Sequence, residues 1–319
     1  MRYYRPFRIP EPDIEEANAL FHANLSDGTL TKGDQVRLFA EELSAYTGYE
    51  YVVPFAQGTH AIFALARWFR QKGYRKVRVP AFTWTSTYMP FLWCGFDVTF
   101  VDIDRETWLA DFQDRKPDID ELFIPVDTFG SVYRLDERVQ WVDSAQSLGS
   151  MWPDKSVTRI VSFSGSKLVT AGEGGAIFTQ DAHIAKFARD TGAWFSRMPE
   201  ASAIIGRAYL RSFREILDRK ERIAREYRKA FPGLQWQRIP QSTNHYVMAA
   251  LCDAKRIKGL NPEWEYRDYY QGIVSEENER IPFSEISAHM PDTEYVSRSI
   301  LAFPSFPDMD IGRIREMRN

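Results

Sequence analysis

The sequence predicts an α/β protein: a large domain with a mostly parallel sheet between helices, then a small, shortened α+β C-terminal domain. Three observations predict it. Short apolar runs recur between residues 51 and 180, separated by helical stretches, which is the pattern of parallel strands with helices on their faces. From about 201 to 231 the chain reads as one long helix, with Leu210, Phe213, Leu217, Ile223, Tyr227 and Phe231 making a buried stripe among charges. Beyond 232 it is more polar and richer in proline, with the apolar runs HYVMAAL and SILAFP. The expected division is an N-terminal segment (1–30), a large domain (31–205), a bridging helix (206–231) and a small domain (232–319).

In chain order, Val36, Phe39, Ala40 and Leu43 share one helical face over 34–47, and Gly48 supplies the stop. YVVPFA (51–56) is a strand, Gln57-Gly58-Thr59 a tight turn, and AIFALARWF a helix. Strands follow at 77–80, 97–103, 121–127, 139–143, 159–164 and 176–180, with a helix through residue 93 after the first of these.

The 319 residues carry 41 basic and 44 acidic side chains and are 44% hydrophobic, a composition that buries a core without staples. A net charge of −3 gives no concentrated positive field for nucleic acid. Cys94 and Cys252 stand in no metal-ligand or paired spacing and read as reduced thiols of a cytoplasmic protein. The five histidines have no ligand spacing either, so no metal is expected. The N-terminus has no apolar core of a signal peptide, and no run reaches the roughly 18 apolar residues of a membrane span.

Four segments carry candidate chemistry. In SFSGSKLVTAGEGG (162–175), Lys167 lies just past a strand among small residues, where desolvation would lower its pKa for Schiff-base chemistry; a solvated surface lysine is the alternative. Asp143 ends an apolar strand and is either a helix N-cap or the counter-ion of a buried cation such as a protonated pyridine nitrogen. The Gly58-Thr59 turn opens a helix whose N–H groups could hold a phosphate. Trp84 could stack on a flat ring or fill the core. His60, next to the turn, could face a ligand or cap the helix.

Taken in order, the Gly-Thr turn, the aromatic, Asp143-x-Ala-Gln146 and Ser162-x-x-x-x-Lys167 before Gly-Glu-Gly-Gly resemble the DegT/DnrJ/EryC1/StrS family of pyridoxal-phosphate aminotransferases, fold-type-I enzymes. The resemblance extends from GTLTKGDQVRLFAEELSAYTG through VTFVDID and RMPEASAIIGRAYL to SILAFPSFPDMD. It implies pyridoxal 5′-phosphate as cofactor, Lys167 as the Schiff-base lysine and proton shuttle, and Asp143 as the partner of the ring nitrogen. It also implies Gln146 at the ring's phenolic oxygen, Trp84 on its face, and Gly58, Thr59 and Ser162 on the phosphate. Gly172, Gly174 and Gly175 would allow a tight backbone path, with Glu173 structural or functional. A homodimer with interfacial active sites is implied, with glutamate or glutamine as donor and a carbonyl acceptor such as a nucleotide-linked keto sugar.

The chain departs from the family at Gln57, where serine is common; at Asp127, where a histidine is common beside cofactor and substrate; and at Phe195, where an asparagine reaches the neighbour's phosphate. Ser196 or Arg197 would substitute for the last, or the contact is absent. The family's tyrosine and histidine pattern is not evident in SEENERIPFSEISAH. Rival readings are another reaction of the same cofactor, such as decarboxylation or a lyase step, or a non-catalytic homologue. A Ser-x-x-Lys hydrolase built on Ser164 and Lys167 lacks its companion motifs. Retention of lysine at 167, where the family's sugar dehydratases have histidine, favours transamination.

Overall fold

In the computed structural model, residues 5–252, 265–270 and 290–318 are described; SEENERIPFSEISAH lies outside them. Seven strands form the large sheet. They are β1 (Tyr51–Phe55), β2 (Lys76–Pro80), β3 (Asp97–Val101), β4 (Glu121–Phe123), β5 (Trp141–Asp143), β6 (Thr158–Ser162) and β7 (Gly175–Thr179). β3-β2-β4 and β1-β7-β6-β5 are hydrogen-bonded sets. Parallel bridges at Phe123↔Val139 and Val126↔Asp143 join them edge to edge. β3, β2, β4, β5 and β6 run parallel, and only β7 runs against its neighbours.

The sheet is covered on both faces, which is why its strands read as continuous apolar runs. Successive side chains alternate between faces: Val53, Ile160 and Ile177 enter a core with helix α3 (Gly58–Gln71), whereas Val52, Val161 and Phe178 enter one with helix α2 (Asp34–Thr47). α2 ends at Gly48, whose φ of 73° is the left-handed conformation glycine adopts without strain. Its N-terminus is held from far along the chain: the buried Glu200 carboxylate accepts from the N–H groups of Gly33, Gln35 and Val36, an anion placed at the positive end of the helix dipole.

Helix α1 (Glu11–Asp27) falls in what the sequence suggests only as an N-terminal segment. None of its residues is buried, so the apolar period that reveals α2 is absent; proline and acids in its first turn and Gly28 after its last are the signals it does carry. The segment expected as one long helix is two. After α4 (Met89–Trp93) and α5 (Ala182–Phe195), α6 (Glu200–Arg211) ends at Ser212, and α7 (Phe213–Ala230) begins there. α7 packs Phe213 and Ile216 against the large-domain core and Ile223, Ala224 and Tyr227 against a second core beneath β8 (Gln235–Trp236), β9 (Met248–Leu251) and β10 (Ile300–Phe303). Those three strands form an antiparallel sheet of order β10-β9-β8, with α8 (Pro291–Ser299) leading into β10. No helix among the described residues is long and apolar enough to cross a membrane.

Candidate active site

The carboxyl ends of β1, β2, β5 and β6 open on one cavity of about 480 Å³, the place where ligands bind in such sheets. Gly58, Thr59, Trp84, Asp143, Gln146, Ser162 and Lys167, all singled out from the sequence, line it together. Each arrives because it lies at or just beyond a strand end.

Asp143 is the last residue of β5 and is buried. Its carboxylate accepts from Thr87 Oγ1 at 2.6 Å and from the Ala145 N–H at 3.1 Å, and among the described residues it forms no ion pair. Burial pushes this carboxyl up from the ordinary range, against the pull of Thr87, Ala145 and the more distant Lys167 charge. A buried carboxylate with only neutral donors stays ionised at a cost that a cation placed beside it would offset. Lys167 is half-buried in the same cavity, its Nζ 4.9 Å from the centre of the Tyr246 ring.

The first turn of α3 has no side-chain cap, unlike α5, where Asp181 accepts from the N–H groups of His183 and Ile184. The uncapped turn, the Thr59 hydroxyl and Ser162 face the cavity together, an arrangement suited to a phosphate. Thr59 Oγ1 donates to Ser86 Oγ at 2.9 Å. Gly175 is required here for space: a Cβ on it would collide with the Gly58 backbone, so β7 can pass directly beneath the turn only with glycine. Trp84 is 64% exposed on the cavity wall, so it is not core filling and leaves a flat face open. Glu173 is an exposed residue of the same lining.

Two expectations change, and a third residue has partners that the sequence does not indicate. Asp127 does not line the cavity. Val126 pairs with Asp143 across the strands and shares its face, so Asp127, one residue on, points the other way. There its Oδ2 accepts from Arg159 Nη1 (3.0 Å), Ser144 Oγ (2.8 Å) and Ser147 Oγ (2.6 Å), and its Oδ1 accepts from the Tyr133 N–H (2.9 Å), with Asp127 and Arg159 both fully buried. Ser196 is turned inward: its Oγ accepts from the Ala56 N–H and is hydrogen-bonded to His60 Nδ1 at 2.8 Å. His60 therefore neither faces the cavity nor caps α3; Phe195 packs edge-on to it, and Arg197 is the exposed residue of the pair. Finally, the Gln146 side chain spans two partners, accepting at Oε1 from the Phe129 N–H (2.6 Å) and donating from Nε2 to the Tyr270 hydroxyl (2.9 Å).

The cavity also contains residues that sequence reasoning passed over. Thr87 lies within the PAFTWTSTY segment but carries no signal of its own. Tyr246, whose hydroxyl lies 3.2 Å from Ser166 Oγ, and Tyr270 come from beyond α7. Lys220 is buried in α7, its ammonium donating to the carbonyls of Tyr246 and Ser305 and to Ser305 Oγ. Burial draws its pKa down to about 7.

A lone buried carboxylate, a lysine within the same cavity, an open helix N-terminus and an exposed indole make up one site. The profile of the DegT/DnrJ/EryC1/StrS aminotransferase family matches residues 12–317. The chain belongs to that family. It is a pyridoxal-phosphate-dependent aminotransferase of the α/β fold expected. A relative named UDP-4-amino-4-deoxy-L-arabinose–oxoglutarate aminotransferase, from Shewanella sediminis, is 23% identical over 98% of this chain and 96% of its own. Among solved structures, Helicobacter pylori PseC, an aminotransferase of pseudoaminic acid biosynthesis, superposes with a TM-score of 0.84 at 18% identity, covering 99% of this chain and 96% of its own. DesI in the presence of its TDP-sugar product gives 0.80 at 23%, over 98% and 89%. The residues present fit the cofactor: Asp143 lacks a cation that a protonated ring nitrogen would supply, and the α3 turn lacks an anion that a phosphate would supply.

Proposed function

We propose that this aminotransferase takes its amino group from glutamate or glutamine and delivers it to a keto sugar linked to a nucleotide, with Lys167 and Asp143 as the residues that carry the chemistry. The observation that carries the site assignment is Asp143, buried without an ion-pair partner among the described residues in the cavity that Lys167 lines. When bound, the cofactor supplies an electron sink for the carbon that loses and gains a proton. Asp143 keeps the ring nitrogen protonated, so the sink stays strong. Lys167 would hold the cofactor through Nζ, and its free amine would carry the proton between the two carbons.

Thr59, Ser162 and the first N–H groups of α3 hold the phosphate, Trp84 covers one ring face, and Gln146 serves the phenolic oxygen. Lysine at 167, where the family's sugar dehydratases have histidine, favours transamination over that dehydration, and the family match favours it over a lyase or decarboxylase step on the same ring. The sugar acceptor rests on the relatives, one named for a UDP-linked amino sugar and one solved with its TDP-sugar product.

The working unit is a homodimer. Trp194 is 90% and Phe195 42% exposed beside Arg197, an apolar patch with a cation that suits a subunit interface. With Ser196 occupied internally, Arg197 is the residue that reaches the neighbour's phosphate. The free cysteines, Cys94 and Cys252, suit the reducing cytoplasm.

The test is spectroscopic. Purified protein loaded with pyridoxal phosphate is expected to show the long-wavelength band of the lysine-bound cofactor and to lose it on adding L-glutamate. A nucleotide-linked keto sugar then restores it, whereas a simple 2-keto acid of another skeleton does not. Restoration by the simple keto acid alone would remove the sugar assignment.

A further inference from the structure

The hydrogen bonds of Gln146 settle which way its amide faces. Phe129 offers an N–H at 2.6 Å, which only the amide oxygen can accept. The other end, Nε2, is therefore the group 2.9 Å from the Tyr270 hydroxyl, and it donates. A phenol that accepts at its oxygen keeps its own proton for another partner. Among the described residues none takes it, while the Tyr270 side chain lines the cavity with Asp143, Gln146 and Lys167.

Nor is the hydroxyl loosely placed. The Tyr270 ring stacks on Phe129 (centroids 5.9 Å apart, 12° between planes) and meets Phe82 edge-on at 4.8 Å and 87°. Burial raises the phenol's pKa above its ordinary value, so at neutral pH it remains a donor. The residue itself is held at φ 57°, a left-handed backbone conformation that a tyrosine rarely takes. A fixed donor, oriented by Gln146, thus stands on the wall of the cavity that Asp143 and Lys167 also line.

We propose that the Tyr270 hydroxyl donates a hydrogen bond to the phenolic ring oxygen of the cofactor, and that Gln146 acts on that oxygen at least in part by orienting Tyr270. This rests on the placement of the ring between Asp143 and Lys167 given above. It makes the small domain part of the cofactor site: a residue some 120 positions beyond Gln146 (124 along the chain) completes the donor set on that oxygen. Tyr270 is then a cofactor-contacting residue and Gln146 partly a positioning one.

The experiment uses the full chain stripped of cofactor and titrated with pyridoxal phosphate and, separately, with the analogue lacking the ring oxygen. Wild type and Tyr270→Phe are compared by dissociation constant and by the absorbance maximum of the bound form. A hydrogen bond to a charged oxygen corresponds to a roughly ten- to hundredfold loss of affinity for pyridoxal phosphate in Tyr270→Phe, accompanied by a moved absorbance maximum. With the deoxy analogue the two proteins are expected to bind alike.

Equal affinity for pyridoxal phosphate, or the same loss with both ligands, would overturn the proposal while leaving the cofactor site standing. Failure of wild type to bind either ligand would overturn the placement of the ring, and this proposal with it. Gln146→Leu supplies an independent arm. Its loss should be non-additive with Tyr270→Phe, and additive losses would separate the two residues. Should Tyr270→Phe fold poorly, Tyr270→Met carries the same comparison of the two ligands.

Discussion

Asp127 and Asp143 are both buried, lie on neighbouring segments joined by the Asp127 N–H to Asp143 carbonyl hydrogen bond, and each follows a valine. They sit on opposite sides of the sheet, and their surroundings differ in one respect that decides their roles. Asp127 has a cation, Arg159, and three further donors. Asp143 has two neutral donors and an open cavity. The first carboxylate has its counter-charge and four donors, the second has no counter-charge, and a buried carboxylate without one is what a ligand site looks like before the ligand is considered. Lys220 stands between them: a buried cation with three neutral oxygens and no carboxylate ion pair among the described residues.

The largest separation is expected from Lys167→Ala. Its ammonium meets only the Tyr246 ring among the contacts above, so thermal stability should hardly move, while turnover falls by roughly 10²–10⁴-fold and the long-wavelength band is lost. Turnover within tenfold of wild type would put the reactive amine elsewhere.

Asp127→Ala should do the reverse. Leaving Arg159 buried and unpaired costs about 3–5 kcal/mol of stability, read as a lowered denaturation midpoint, while the folded fraction keeps its absorbance band. A stable variant without the band would place Asp127 in the site after all and erase the contrast.

Lys220 gives the smallest effect, seen through pH. Burial draws its folded pKa down to about 7 from the ordinary 10.5. Between those values the unfolded chain holds a proton that the folded one has released, so this group's contribution to stability is full above the upper value and is lost as pH falls towards the lower. Relative to Lys220→Met, the melting temperature of wild type should therefore rise between pH 7.5 and 9.5. Parallel curves would mean that the three oxygens hold the ammonium at its ordinary pKa.

Much of the site was legible because the chemistry of parallel sheets gathers at strand ends. Asp143 and Ser162 close β5 and β6, and Gly58 opens α3, so reading the strands also located these residues. Asp127 was legible as a strand-end acid but not as a buried ion pair, because its face depends on a one-residue parity that the short β4 leaves open. The exposed helix α1 has no buried face to betray it, and the break at Ser212 interrupts an amphipathic stripe that reads straight through. Tyr270 could not be read at all: nothing local in EYRDYYQG distinguishes it from Tyr269, and its role comes from Gln146 and Phe129, far back in the chain.

The most direct measurement is the affinity of Asp143→Asn for pyridoxal phosphate, taken with the melting temperature of the cofactor-free protein. The amide keeps the shape and removes the charge. With Asp143 as the counter-ion of the ring nitrogen, affinity should fall roughly ten- to hundredfold while the cofactor-free protein melts at or above the wild-type temperature. Unchanged affinity, or a stability loss like that of Asp127→Ala, would contradict the assignment.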